Sequence, residues 1–237
     1  MGLRVPREAF REQMQLLDTG GYRVVPLTRI LEAAPPAEGS RESRETMPRE
    51  VALTFDDGYR SEMLAADTLK DFGFTATFFV VPRFLDGVQQ PAHYWEHWPH
   101  MNWDDLGPLV DAGFEIGAHS MTHPDLTGCD SSRLMDEVAG AKALLERRLG
   151  REIVSFSYPY GRHNSQVREA AGRAGYRLAC TSRYGLNKTS GSAGPAGSAG
   201  PRYDVARTEV TGTDRLADFR RKLQGRYDWL GRWQDLT

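Results

Sequence analysis

The segment Val51-Ala-Leu-Thr-Phe-Asp-Asp-Gly58 is a short apolar strand that ends in two adjacent carboxylates and a glycine. Neighbouring strand residues point to opposite sides, so Asp56 and Asp57 can lie together only where the strand begins to turn. Gly58 supplies a permissive backbone for that turn. Asp-Gly is also common in ordinary solvated turns, so this segment alone allows both a functional and a structural interpretation.

On both sides of this segment, short apolar runs alternate with stretches of helical periodicity. The runs that predict strands are 22–25, 51–55, 76–81, 114–118, 153–157, 178–181 and 205–210. The stretches that predict helices are 6–18, 27–33, 62–72, 104–112, 131–149, 165–174 and 214–223. This alternation indicates an α/β fold with a parallel sheet and outer helices, and the sheet is either open or closed as a barrel.

The length of 237 residues is typical of one domain, so we expect residues 1–237 to form a single unit. The Gly/Ser/Ala/Pro-rich stretch 188–201 is predicted to be a flexible loop within that unit, because too few residues follow it for a second core. Cys129 and Cys180 are too few for a disulfide framework or a cysteine-only zinc site. We expect them to be small buried hydrophobes rather than a bridged pair.

The charge balance bears on possible partners. The chain has 30 Lys and Arg against 32 Asp and Glu, a net charge of −2, which excludes nucleic-acid binding driven by bulk charge. No apolar run approaches the roughly 18–20 residues of a membrane span, and the first residues lack the apolar region of a signal peptide. We therefore expect a cytoplasmic protein without a membrane span.

A second cluster of chemically active side chains follows the predicted strand 114–118, in Ile116-Gly-Ala-His-Ser-Met-Thr-His-Pro124. His119 and His123 can converge on one ion if the residues between them form a helical turn. A single histidine is usually structural, so the pair beside a strand end is what points to a metal.

A histidine-rich segment at 93–103 has the same spacing between His93 and His97, with His100 after it, but no clear strand precedes it. Three tryptophans crowd this segment: Trp95, Trp98 and Trp103. We interpret it as an aromatic loop that either lines a sugar-binding cleft or packs onto the fold.

A third strand end carries Phe156-Ser-Tyr-Pro-Tyr-Gly161, in which Pro and Gly turn the backbone so that an N–H can point into a cleft. The series Thr54–Gly58, His119–His123 and Tyr158–Gly161, followed by Asn164, resembles the polysaccharide deacetylase family. This family is the NodB-homology domain of carbohydrate esterase family 4. The resemblance covers residues 10–225, which is nearly the whole chain.

The resemblance implies a distorted (β/α) barrel of the seven-stranded type, with fewer strands than the eight of a TIM barrel. The usual first strand of the family has no counterpart before the helix at Pro6, so the expected barrel lacks it or the chain starts after it. The resemblance also implies a catalytic divalent cation held by Asp57, His119 and His123. Zinc is the generic choice for these ligands, and cobalt, nickel and manganese also accept them.

The resemblance further assigns Asp56 as the catalytic base and the Tyr160 backbone N–H as the oxyanion donor. Pro159, Tyr160, Trp103 and Arg207 are expected to contact the carbohydrate. The implied reaction is hydrolytic removal of N-acetyl groups from N-acetylhexosamine units of a glycan or glycoconjugate, which releases acetate and a free amine. The Tyr-Pro-Tyr-Gly form resembles the branch associated with bacterial exopolysaccharide and cell-surface glycan deacetylation.

Two positions depart from the family pattern. Ser157 stands where many members carry an arginine that orients the base, so another group must steady Asp56 or Asp56 is looser. Arg207 falls where many members carry the histidine that acts as general acid, which leaves His97, His100 or metal-bound water for that role. These departures keep two alternatives open: a non-catalytic, metal-dependent glycan-binding relative and an O-deacetylase of acetylated polysaccharide.

Overall fold

A computed structural model describes residues 5–31, 49–88, 98–187 and 202–234. The predicted flexible loop 188–201 lies outside the described residues, as do His93, Trp95 and His97 of the aromatic segment. The strands are β1 (Tyr22–Val24), β2 (Arg49–Val51), β3 (Thr54–Phe55), β4 (Thr77–Val80), β5 (Glu115–Ala118), β6 (Ser155–Ser157), β7 (Leu178–Cys180) and β8 (Arg202–Val205). The α-helices are α1 (Arg7–Thr19), α2 (Glu62–Asp71), α3 (Pro82–Leu85), α4 (Trp103–Asp111), α5 (Ser131–Leu149), α6 (Ser165–Arg173), α7 (Leu216–Leu223) and α8 (Asp228–Gln234).

The main sheet has six parallel strands in the order β3-β4-β5-β6-β7-β8, and it curls into a half-barrel. Strands β1 and β2 form a separate parallel pair. Each strand of the main sheet follows its neighbour in the chain, as repeated β-to-α-to-β connections require. The predicted α/β fold with a barrel-type parallel sheet is confirmed.

The predicted strand 51–55 is in fact two strands in two sheets. The Val51 carbonyl accepts the Val25 N–H at 2.9 Å, whereas the Leu53 carbonyl accepts the Thr77 N–H at 3.0 Å. The chain therefore passes from the small sheet to the main sheet within two residues.

The predicted strand 205–210 was wrong in its bounds, because β8 ends at Val205. The backbone N–H of the next residue, Ala206, donates to Asn187 Oδ1 at 3.0 Å. The Asn187 Nδ2 in turn donates to the Ala206 carbonyl at 2.7 Å. These are the groups that a longer strand would need for its ladder, so the chain turns away here.

Alternating residues of the strands face two different cores. Phe78, Ile116 and Phe156 face the helices and belong to the larger core. Phe79 and Cys180 face the concave side, where they form the second core together with Leu27, Leu31, Leu178 and Val205. Leu27 and Leu31 belong to a 3₁₀ helix, Leu27–Leu31, which fills the concave face of the half-barrel.

Glu115, at the start of β5, fixes this 3₁₀ helix to the sheet. Its carboxylate accepts the Leu27 N–H at 2.9 Å, the Thr77 hydroxyl at 2.6 Å and the Thr28 hydroxyl. One carboxylate thus satisfies a helix N-terminus and a neighbouring strand together.

Helix α5 has the bounds that its sequence predicts. The Asp130 side chain accepts the Arg133 N–H at 2.9 Å and caps the start, and Gly150 ends the helix in a left-handed conformation. Cys129 and Cys180 are both free thiols, in agreement with the prediction that they do not pair. Among the described residues, no helix has the length and apolar character needed to cross a membrane.

The packing around Gly117 in β5 gives a test of the concave core. A Cβ at this position would lie 2.7 Å from the Ser155 hydroxyl and would also overlap the Phe79 ring. We expect Gly117→Ala to lower the free energy of unfolding by about 1–3 kcal/mol through overpacking. Equilibrium unfolding in urea, followed by circular dichroism, measures this loss.

Gly107→Ala in α4 is the matched control, because a Cβ there meets no atom within 4 Å outside its two chain neighbours. The Pro108 ring that follows disfavours a helical residue with a Cβ and offsets the gain from replacing glycine, so we expect the free energy of unfolding to stay within about 0.5 kcal/mol of wild type. Wild-type stability of Gly117→Ala would show that Phe79 does not pack over β5.

Candidate active site

The site lies at the carboxyl ends of the parallel strands, where α/β folds place their functional loops. Three of its segments follow β3, β5 and β6 directly, and a fourth follows β8. The first three are the segments that the sequence analysis singled out at strand ends, and the fourth carries Arg207, which was expected within the strand 205–210. Because the strands are parallel and adjacent, residues far apart in the chain meet at one edge.

Backbone strain is concentrated at this edge. Among the described residues, four that are not glycine have positive φ, and all four belong to these segments: Asp57 (76°), Ser120 (60°), His123 (63°) and Tyr160 (59°). The left-handed region costs a non-glycine residue about 1–2 kcal/mol, so the surrounding fold must hold each of them there. The expected helical turn between His119 and His123 is therefore wrong: two left-handed residues bring the imidazoles together instead.

Asp57, His119 and His123 converge on one point. The Asp57 Oδ1 lies 3.5 Å from His119 Nε2 and 3.3 Å from His123 Nε2, and the two Nε2 atoms are 3.2 Å apart. In a tetrahedral site with bonds of about 2.0–2.1 Å, donor atoms lie about 3.3 Å apart. The three side chains can therefore hold a divalent cation without rearrangement.

Protonation also suits a metal site. The His119 Nδ1–H donates to the Ser157 carbonyl at 2.7 Å, which leaves the Nε2 lone pair facing the other two groups. Burial lowers the pKa of His119, and it lowers the pKa of His123 to about 4, so both imidazoles are neutral at pH 7. Burial raises the pKa of Asp57, and His119 opposes that rise.

Asp56 is held by an arginine from the far side of the sheet. Arg207 Nη1 and Nη2 donate to the two carboxylate oxygens at 2.7 Å each. The Ser157 hydroxyl accepts from Arg207 Nη2 at 2.9 Å and donates to Asp56 Oδ2 at 3.3 Å. Burial alone would raise the pKa of Asp56, but the Arg207 guanidinium holds it well below its usual range. Asp56 is thus an oriented, ionised carboxylate beside the metal triad.

Arg207 is fixed on every side by protein groups. Its Nε–H donates to the Thr181 carbonyl at 2.9 Å, Nη1 donates to the Thr54 hydroxyl at 3.2 Å, and the guanidinium lies 5.6 Å from the Phe79 ring centroid. The donors of Arg207 serve Asp56, Ser157 and the strand ends, and its contact with substrate stays a prediction. Ser157, in place of an arginine, was the sequence signal that another group must hold Asp56. The sequence spacing did not identify the strand that carries this group.

The segment Pro159–Gly161 forms a short 3₁₀ turn beside the triad. The Tyr160 ring lies edge-on to His123, with 4.8 Å between centroids, and is 47% exposed. Pro159 is buried beneath it. A Cβ at Gly161 would lie 2.6 Å from the Ser182 backbone nitrogen, so only glycine lets the turn approach β7 this closely.

The described part of the aromatic segment borders the site. His100 forms a bridge with Tyr59, and the two rings stack at 4.8 Å. The centroid of the Phe84 ring lies 4.6 Å from that of His100 and 6.2 Å from that of His123. Phe84 therefore lies between the bridge and the triad. Burial lowers the pKa of His100 to about 4.

The Trp103 side chain contacts other protein groups, and its contact with substrate stays a prediction. Its indole N–H donates to Asp86 Oδ1 at 2.7 Å, and the Arg148 guanidinium covers the ring at 4.5 Å. The ring packs against the larger core, which gives it a structural role.

Comparison with curated proteins identifies relatives of this chain. YxkH of Bacillus subtilis (strain 168) is 27% identical over 214 residues, which cover 85% of this chain and 70% of YxkH. A chitin deacetylase of Pestalotiopsis sp. is 31% identical over 137 residues, which cover 56% of this chain and 41% of that protein. The match thus spans less than half of the chitin deacetylase.

Solved structures share the fold, and a family model matches the sequence. IcaB from Ammonifex degensii aligns with a TM-score of 0.69 at 25% identity, over 92% of this chain and 89% of that one. The Streptococcus pyogenes deacetylase PplD, solved in complex with acetate, aligns with a TM-score of 0.73 at 20% identity. The alignment covers 93% of this chain and 88% of PplD. The model for polysaccharide deacetylases matches residues 43–179, more than half of the chain. The chain therefore belongs to the polysaccharide deacetylase family.

Proposed function

We propose that this chain is a metal-dependent hydrolase that removes N-acetyl groups from N-acetylhexosamine units of a glycan or glycoconjugate. The observation that carries the proposal is an Asp57, His119 and His123 triad beside an ionised, arginine-held Asp56. Family membership supports deacetylation, and relatives named as chitin and chitooligosaccharide deacetylases support an N-acetylated sugar. The net charge of −2 suits an uncharged substrate.

Asp57, His119 and His123 would hold the cation, and zinc fits two imidazoles and one carboxylate best. A divalent cation bound there supplies Lewis-acid polarisation of the acetyl carbonyl and lowers the pKa of a water molecule. The Ser157 carbonyl keeps His119 in the tautomer that such binding needs.

Asp56 accepts the proton of the water that attacks the acetyl carbon, and Arg207 keeps its carboxylate ionised and aimed. The Tyr160 backbone N–H donates to the oxygen on which negative charge develops. Water thus adds across the C–N bond, giving acetate and the free amine.

The leaving amine also needs a proton. His100 is a poor donor at pH 7 because burial lowers its pKa to about 4 and keeps the ring neutral. Asp56 can return the proton that it accepted, and a carboxylic acid beside Arg207 gives up a proton readily. One residue then serves as base and acid in turn.

An O-deacetylase is the second candidate, because burial keeps His100 neutral at pH 7 and an ester leaving group needs less protonation than an amine. The non-catalytic alternative rests on the missing arginine at position 157 and the missing histidine at position 207. Arg207 provides a cation for Asp56, which weakens the first of these two arguments. Parallel assays on N-acetylglucosamine oligomers and on acetylated xylan separate the two enzyme activities.

Asp56→Asn tests the base. The amide cannot accept the proton, so we expect acetate release to fall by about 10²–10⁴-fold while the metal content stays that of wild type. Chelator treatment should abolish acetate release from wild type, and added Zn²⁺ should restore it. Metal-replete protein that releases no acetate from any substrate would instead support the glycan-binding alternative.

Arg207→Lys tests whether the arginine orients the base or binds the sugar. Lysine keeps the charge but cannot reach both carboxylate oxygens, so we expect kcat to fall about 10²-fold with little change in KM. A rise in KM at constant kcat would assign Arg207 to substrate binding. Arg173→Lys, at an exposed arginine paired with Glu169, is the matched control and should leave both constants unchanged.

The double variant Arg207→Ser with Ser157→Arg returns the arginine to the strand on which many family members carry it. Because Ser157 already touches Asp56, an arginine there can reach the same carboxylate. We expect kcat to recover at least about tenfold over Arg207→Ser alone, measured by acetate release. Absence of any recovery would mean that the two positions are not interchangeable in holding Asp56.

A further inference from the structure

Glu137 is a buried carboxylate outside the triad that binds the loop between the two histidine ligands. The residue lies in α5 and is 5% exposed. Its Oε2 accepts the backbone N–H groups of Met121 and Thr122 at 3.0 Å and 2.8 Å, and its Oε1 accepts the Thr122 hydroxyl. These three donors belong to one loop, the ligand loop His119–His123.

The ligand loop needs such an anchor because its own conformation is strained. Ser120 and His123 both have left-handed backbones, and the Ser120 hydroxyl accepts the His123 N–H at 2.9 Å. Met121 and Thr122, the two residues between them, are the ones that Glu137 binds. The opposite side is tied down by the Arg83 N–H, which donates to the Met121 carbonyl at 3.2 Å.

Helix α5 also shapes the underside of the ligand loop. A Cβ at Gly140 would lie 3.3 Å from the Met121 methyl group, so the helix leaves room for this side chain one turn after Glu137. One face of α5 thus supplies both the Glu137 carboxylate, which binds the ligand loop, and the space at Gly140 that the Met121 side chain occupies.

We propose that Glu137 is a positioning residue that holds His119 Nε2 and His123 Nε2 at the separation needed for one ion, and that it thereby sets the metal affinity of the site. The proposal rests on the metal site of the proposed function. Outer groups that fix ligands typically change metal affinity by 10–100-fold when removed.

Three variants at this position separate geometry from charge. Glu137→Leu removes every acceptor, so we expect the dissociation constant for Zn²⁺ to rise at least about tenfold. In Glu137→Gln the amide oxygen can accept both N–H groups and the Thr122 hydroxyl can reverse to accept from the amide, so the constant should stay within about threefold of wild type. Glu137→Asp withdraws the acceptors by one methylene and should give an intermediate loss, which keeps the proposal testable if Glu137→Leu does not fold.

Glu146→Leu is the matched control on the same helix. Glu146 also accepts a loop N–H, that of Ile153 at 2.9 Å, but far from the ligand loop. This variant should lose stability without losing metal affinity.

The measurement is competition for Zn²⁺ against a chromophoric chelator on the full chain, with the visible absorption of bound Co²⁺ as a second readout of ligand geometry. A weaker affinity and an altered Co²⁺ spectrum in Glu137→Leu, with Glu146→Leu unchanged, support the proposal. Wild-type affinity in Glu137→Leu, or equal losses in both leucine variants, overturns it and leaves the proposed function intact. A wild-type chain that binds neither ion overturns the metal site and this proposal together.

Discussion

The ion pair between Asp56 and Arg207 joins the two edges of an open sheet at the level of the site. Asp56 follows β3 and Arg207 follows β8, and these strands are not hydrogen-bonded to each other. Arg207 also binds Thr54 on one side of the gap and the Thr181 carbonyl on the other. A forked guanidinium can make all these bonds at once, and a partly buried carboxylate requires such a partner to stay charged.

Around this ion pair, several residues of the site have a left-handed backbone conformation. Hydrogen bonds to a carboxylate and close packing hold these residues in place. The triad depends on left-handed residues at Asp57 and His123, and Glu137 holds the ligand loop from below. Gly161 lets the Tyr160 turn approach Ser182 closely. Apart from Glu137, which lies within α5, these residues belong to the connections between strands and helices, so the regular elements provide a rigid frame and the connections carry the strained residues.

The α/β class, the parallel sheet and the three strand-end segments could be predicted from the sequence, because apolar runs and helical periodicity are local properties. The prediction also placed four residues at one edge of the sheet, because the carboxyl ends of parallel strands lie together: Asp56, Asp57, His119 and His123. The partner of Asp56 could not be predicted, because 151 residues separate it from Arg207 and no local pattern encodes a contact across a gap. For the same reason, the sequence did not predict the pairing of Asn187 with Ala206 beyond the end of β8, or the contacts of Trp103 with Asp86 and Arg148.

The placement of the arginine after the last strand has a consequence for how the site is held. The family match ends at residue 179, so it includes Asp57, His119 and His123 but not Arg207. Arg207 directly follows the edge strand β8 and reaches Asp56 across the opening of the sheet. The orientation of Asp56 therefore depends on how the last strand of the sheet is placed, whereas the candidate metal group depends on the strands before it.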